Sequence, residues 1–389
     1  MDIIKLQVSL SDQVKHNTAR LFFAGFSQDG QVISELIKRN LKAPVVVTNK
    51  KVYGPVLKQA SLTNIQDYDG ACDHDCYVIS HYSKGVDATL VESSSTFEAS
   101  LIDTKPLEDI IEQYQSIEVV AWSFGVRVVR ALCELLPKFA SKISYAVALN
   151  GTVPSVDLNY GIDPKAYDTT LERFSSVMHK QFVKNMCAYA QALEIGVQSV
   201  EAPQEHELSL CSNEDRALID TVRSLRNLDD FKCELKLMPY LELTKAQDTD
   251  PIYEPINELP SSPLIFDEAY VALGDKIIPS AAQYHYWTDY ALMRLNVIAS
   301  LEAPSSDSAT ATASATSTGP GAGTVAGAGA GAGAGFALHT FYGPHLCPAL
   351  IRDLMMCPVH KRVSYSKRNK DLDKTIAYNI PYILLRRDS

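Results

Sequence analysis

No run of about 18 uncharged apolar residues occurs in the 389-residue chain, so a membrane-spanning helix is not expected. Basic side chains are not in excess either: 36 Lys and Arg stand against 46 Asp and Glu, a net charge of −10. A phosphate backbone is bound by neutralising it with cations, so nucleic acid is disfavoured as a partner. An acidic partner would have to dock on a local basic patch. Met1–Arg20 lacks a basic start, an apolar run and a small-residue cleavage site, so no secretory signal is expected. Of eight scattered cysteines only Cys72 and Cys76 stand close, with His74 between them. A second pair at zinc spacing is missing, which favours reduced core thiols over a metal site. These absences lead to the expectation of a cytoplasmic chain with no metal and no cofactor.

What is present is ordinary globular composition, 46% hydrophobic and 21% charged. The length permits one large domain with insertions, or two domains. Leu21–Gly25 (LFFAG), Ala43–Thr48 (APVVVT), Ile117–Ala121 (IEVVA) and Ala146–Leu149 (AVAL) read as buried strands, and Val126–Leu136 between the last two as a helix. Strands apolar on both faces, alternating with helices, indicate a parallel sheet with crossover helices. Leu171–Leu193 carries apolar residues at three- and four-residue steps and predicts one amphipathic helix. Helix continues around Asn213–Asn227. Alternation resumes with a strand over Leu264–Leu273, the turn Gly274-Asp275 and a helix from Ser280. Residues 304–335 are Ala/Ser/Thr-rich and then alternate Gly and Ala, with almost no charge and no large side chain, so they read as a flexible surface loop. The expected organisation is a first core part over 1–150, a helical cap over 151–260 and a second core part over 261–389, interrupted by 304–335.

The most informative stretch is VVAWSFGV, Val119–Val126. A buried strand enters Ala121-Trp122-Ser123-Phe124-Gly125 and a helix leaves it, the setting of a nucleophile elbow in the α/β-hydrolase fold. Such a turn presses the serine against its neighbours, so the residues two before and two after must be small. Alanine stands here at the first of these, where glycine is usual. Ser123 would be the nucleophile, and the Phe124 N–H at the helix start would face a developing oxyanion. The plainer alternative is a serine N-cap after a strand. A second oxyanion donor belongs on the loop after an early strand, where Phe26 N–H follows Gly25.

Triad partners follow in the order serine, acid, histidine. Asp275, at the end of a late strand in YVALGDKIIP, is the candidate acid, against the alternative of a Gly-Asp turn. His285 lies in a helix-like run too soon after it. His339 stands 64 residues on, and discounting the 32 of the low-complexity tract leaves 32, an ordinary gap for a helix, a strand and a loop. His339 is therefore the expected base and His345 the runner-up.

Several segments resemble the BioG-type pimeloyl-[acyl-carrier protein] methyl ester esterases: LFFAGF, VVAWSFGVRVV, AVALNGTVPSVDLNYGID and YVALGDKIIPSAAQYHYW. The resemblance implies a cytoplasmic carboxylesterase of biotin biosynthesis that removes the methyl group from pimeloyl-carrier-protein methyl ester. It carries over the nucleophile to Ser123, the acid to Asp275, the base to His339 and the oxyanion amides to Phe26 and Phe124. The partner implied is an acyl carrier protein carrying the methyl-esterified chain, with no nucleic acid and no membrane. Trp122, Arg127 and Arg130 beside the elbow, and Lys180 and Lys184 one helical turn apart in the cap, are candidates for substrate or carrier contact. So is the basic run Lys361, Arg362, Lys367, Arg368 and Lys370, although a charge run is more often a solvated face. Two rival readings keep the fold: an acyl thioesterase or acyltransferase, and a degenerate hydrolase that only binds acyl carrier.

Overall fold

A computed structural model describes residues 1–6, 16–38, 47–53, 74–84, 86, 102–188, 217–219, 226–240, 265–302, 336–341 and 343–356. Eight strands form one sheet: β1 (Asp2–Leu6), β2 (Thr18–Phe23), β3 (Val47–Tyr53), β4 (Asp75–Ser80), β5 (Ser116–Trp122), β6 (Ile143–Leu149), β7 (Glu268–Ala272) and β8 (Phe336–Phe341). Their order is β1-β4-β2-β5-β6-β7-β8-β3. The six strands from β4 to β8 run parallel, while β1 and β3 close the two edges antiparallel. Parallel strands need crossovers, and the described helices supply several. α1 (Gly30–Lys38) follows β2, and α2 (Lys105–Gln113) precedes β5. α3 (Phe124–Leu135) and α4 (Pro137–Lys142) join β5 to β6, and α8 (Ser280–Glu302) follows β7. α9 (Pro348–Met356) follows β8 and packs against α1.

β2, β5, β6 and β7 are buried over nearly their whole length, which is why they read as continuous apolar runs rather than alternating ones. The core runs from Leu21, Phe22 and Phe23 through Val119 and Trp122 to Phe266, Trp287 and Phe336. A buried ion pair ties the sheet to α9: Arg20 Nε donates to Glu118 Oε2 at 2.7 Å, and Arg20 Nη1 donates to Met355 O at 2.5 Å.

Three expectations about elements change. The Ala43–Thr48 candidate overlaps an edge strand that starts at Val47 and pairs antiparallel with β8; 43–46 lie outside the described residues. The single helix over Leu171–Leu193 is two: α5 (Pro164–Arg173) and α6 (Ser176–Cys187). The break falls at Ser175, whose side chain accepts from Met178 N, so a local N-cap interrupts an otherwise continuous apolar period. Of the helix placed around Asn213–Asn227, residues 217–219 are described and helical. α7 (Leu228–Tyr240) follows it. The Gly-Ala tract and the basic C-terminal run lie outside the described residues.

Candidate active site

Because the central strands are parallel, their carboxyl ends share one edge of the sheet, and the loops leaving them converge there. β5 ends on Trp122 and the chain turns at Ser123 with φ 55° and ψ −125°, a left-handed strain few non-glycine residues accept. What holds the turn is crowding. A Cβ on Gly125 would lie 2.3 Å from Phe23 O, and one on Gly151 would lie 2.4 Å from Ser123 O. Ala121, buried between Phe23 of β2 and Ala148 of β6, shows that a methyl group is tolerated two residues before the serine.

The imidazole that meets Ser123 is that of His345. Its Nε2 lies 2.8 Å from Ser123 Oγ and its Nδ1 lies 2.7 Å from Asp275 Oδ2. With Nδ1–H donating to the carboxylate, Nε2 presents its lone pair to the serine hydroxyl. All three side chains are buried: Ser123 is 6% exposed, Asp275 8% and His345 1%. Asp275 Oδ1 accepts from the amides of Ile277 and Ile278, and Oδ2 accepts from Gln283 Nε2 at 2.8 Å as well as from the imidazole. Those contacts fix the carboxylate's plane.

His339, expected as the base, does something else. It sits inside β8, opposite Tyr270 of β7, with the two rings stacked at 4.2 Å and His339 Nε2 3.6 Å from Glu268 Oε2. It belongs to the sheet, whereas the histidine loop begins after Phe341. Counting residues could not separate the strand position from the loop position six residues later.

Phe124 opens α3, so its N–H is one of the helix's unpaired first donors. The turn after β2 packs on the elbow: a Cβ on Gly25 would lie 3.0 Å from Ser123 Cβ. Phe26 N–H follows immediately, and among the described residues it has no acceptor. The Phe26 ring meets those of Phe174, Phe182 and Phe231 from the α5–α7 helices edge-on at 5.3–6.4 Å. Glu234 of α7, fully buried, accepts from the amides of Ser27 (2.8 Å) and Tyr82 (3.1 Å) and pairs with Arg226.

The remaining candidates divide. Trp122 is fully buried; its indole N–H donates to His345 O at 3.0 Å, so it supports the histidine loop from beneath rather than offering a surface for substrate or carrier. Arg127 is 3% exposed and donates to Val153 O, which removes it as an outward docking cation. Arg130 pairs with Glu134 along α3. Lys180 and Lys184 are exposed on α6. Sequence reasoning missed Asn150, Gln283 and Glu234. The first two stand in stretches that carried the resemblance, where no role distinguished them from their neighbours; nothing in the sequence marked Glu234. Among the described residues, no group of three or more His, Cys, Asp or Glu side chains could hold a metal ion, and no helix is long and apolar enough to cross a membrane.

Sheet order, elbow and converging loops define an α/β-hydrolase fold. Within it, residues 101–229 match the family model described as "Pimeloyl-ACP methyl esterase BioG", which shows the BioG resemblance over the stretch that holds the elbow. A malonyl-[acyl-carrier protein] O-methyltransferase from Bacteroides fragilis is 25% identical over 181 residues, 46% of this chain and 29% of that protein. The chain thus spans less than a third of that curated relative. A crystal structure of BioG from Haemophilus influenzae aligns at 18% identity over 75% of this chain and 89% of its own, with a TM-score of 0.40. An epoxide hydrolase from Bacillus megaterium aligns at 10% identity over 60% and 67%, with a TM-score of 0.30.

Proposed function

We propose that the chain is a serine carboxylesterase that hydrolyses the methyl ester of pimeloyl-[acyl-carrier protein] methyl ester in biotin biosynthesis. The single observation that carries this reading is the Ser123–His345–Asp275 chain of hydrogen bonds, 2.8 and 2.7 Å, whose serine lies within the stretch that resembles BioG. His345 Nε2 takes the Ser123 proton as Oγ attacks the ester carbonyl, and the Asp275 carboxylate stabilises the imidazolium. The amides of Phe26 and Phe124 receive the oxyanion. His345 then protonates the leaving methoxide, methanol departs, and a water activated by the same imidazole cleaves the acyl-enzyme.

The acyl-carrier partner is supported by the family match and by a relative named for methylating malonyl-carrier protein. The described helices of 151–260 are assigned to the cap: α5, α6 and α7 fall between β6 and β7, and Phe174, Phe182 and Phe231 pack around Phe26 beside the elbow. That apolar wall suits a methylene chain. Lys180 and Lys184, exposed on α6, are the outward cations we assign to carrier docking. Free thiols at Cys76, Cys133, Cys187, Cys233 and Cys347 agree with a reducing compartment such as the cytoplasm. Ser123→Ala should abolish hydrolysis of p-nitrophenyl esters and of methyl pimeloyl thioesters. Turnover at the wild-type rate in that variant would sink the proposal.

A further inference from the structure

Resting on the esterase reading, we infer that Asn150 is a positioning residue that locks the base and the acid strand to the nucleophile turn. It stands at the end of β6 with φ 45°, in the left-handed region that asparagine tolerates better than most side chains. It is fully buried. Its side chain reaches across β7 to the histidine loop. Asn150 Nδ2 donates to His345 O at 2.7 Å and, more weakly, to Pro344 O at 3.4 Å. Asn150 Oδ1 accepts from Ala272 N at 2.8 Å, at the end of the strand that leads to Asp275. The Asn150 N–H in turn donates to Tyr270 O. An amide N–H on one side and a carbonyl on the other fix which way the carboxamide points.

The flanking residues complete the hub. Leu149 O accepts from Ser123 N at 2.9 Å. Gly151 lies so close to the elbow that a Cβ there would meet Ser123 O and Ser123 Cα at 2.4 and 2.9 Å. Trp287 Nε1 donates to Gly151 O at 2.9 Å and holds that peptide from behind. Three consecutive residues therefore touch the turn of the nucleophile, the strand of the acid and the loop of the base. The His345 carbonyl receives two buried donors, Asn150 Nδ2 and Trp122 Nε1, and the next amide, Leu346 N–H, donates to Met186 O of α6 at 2.9 Å. Only a side chain with both a donor and an acceptor serves here: leucine has neither, and aspartate keeps the acceptor for Ala272 N but turns a second oxygen on the His345 carbonyl.

The test compares wild type with Asn150→Asp, Asn150→Ala and Trp122→Phe, by p-nitrophenyl ester kinetics, fluorophosphonate labelling of Ser123 and thermal melting. Misplacement of the imidazole predicts a loss in kcat of about 10- to 100-fold in Asn150→Asp, with KM within about twofold, since small shifts of a catalytic group cost rate rather than binding. Labelling slows in proportion, and Trp122→Phe shows a smaller loss in the same direction. Should Asn150→Ala fail to fold, the other two variants decide. Wild-type kcat in folded Asn150→Asp, or a loss carried by KM, would overturn the inference and leave the esterase reading intact. A wild-type protein that neither labels nor hydrolyses esters would instead remove the esterase reading.

Discussion

Replacing His345 by alanine separates the two candidate bases. Among the described residues, His345 alone links Ser123 Oγ to the Asp275 carboxylate, at 2.8 and 2.7 Å. Removing it leaves the serine hydroxyl at its ordinary acidity and the leaving group without an acid. In comparable triads such a loss costs about 10^4-fold or more in kcat, roughly 5 kcal/mol of barrier at 1.36 kcal/mol per tenfold. His339→Ala removes a different interaction: a parallel ring stack on Tyr270 at 4.2 Å and a contact with Glu268. Its expected cost is stability, about 1–3 kcal/mol for a buried aromatic-like contact and the space left behind, with kcat within about threefold of wild type. The assay is p-nitrophenyl ester hydrolysis at equal concentrations of folded protein, with thermal melts run alongside. A folded His339→Ala that loses activity while His345→Ala keeps it would refute the reasoning.

Other perturbations probe the frame around the site. Gly125→Ala should lower the melting temperature sharply or prevent folding, because its Cβ would lie 2.3 Å from the carbonyl of Phe23, a backbone atom that cannot move aside; a soluble, active Gly125→Ala would contradict the packing described. Arg20→Met should destabilise by about 3–5 kcal/mol in denaturant melts, since it removes the guanidinium from the buried Glu118 carboxylate, leaving the longer His74 contact, and takes a donor from the Met355 carbonyl. Burial pushes the Glu118 carboxyl up, but His74 and Arg20 outweigh it and hold the group below its ordinary 4.5. A depressed acid contributes stability above its unfolded value and loses it as pH falls toward the folded one, so the wild-type midpoint should drop below about pH 4.5 and that of Glu118→Gln should drop less. Burial raises the thiols of Cys133 and Cys347 to about 12, so neither should react with iodoacetamide at pH 8 until the protein unfolds, as peptide mapping would reveal.

The sheet and its elbow were legible because they depend on local signals. Val119–Ala121 is apolar on both faces, Ala121 and Gly125 are the small residues the crowded turn demands, and the helix that follows carries an amphipathic period. The place of Asp275 was legible for the same reason: it stands on the turn three residues past the end of β7. Which histidine meets it was not. His339 and His345 are six residues apart, and what separates them is where β8 stops, a matter of its pairing with β7 rather than of any residue at the boundary. Trp122 and Arg127 were read as contact residues because they flank the serine in sequence. Strand and helix geometry instead turn both inward, one under the histidine loop and the other onto Val153 O. Asn150 and Glu234 join segments more than a hundred residues apart, and no local period encodes such a contact.

The most direct measurement is product analysis after incubating the purified protein with pimeloyl-carrier-protein methyl ester. The account predicts methanol and an intact pimeloyl-carrier thioester, formed by wild type and by His339→Ala but not by Ser123→Ala or His345→Ala. Release of free carrier thiol in place of methanol would contradict the methyl esterase assignment, and methanol formation that survives loss of Ser123 would contradict the catalytic account altogether.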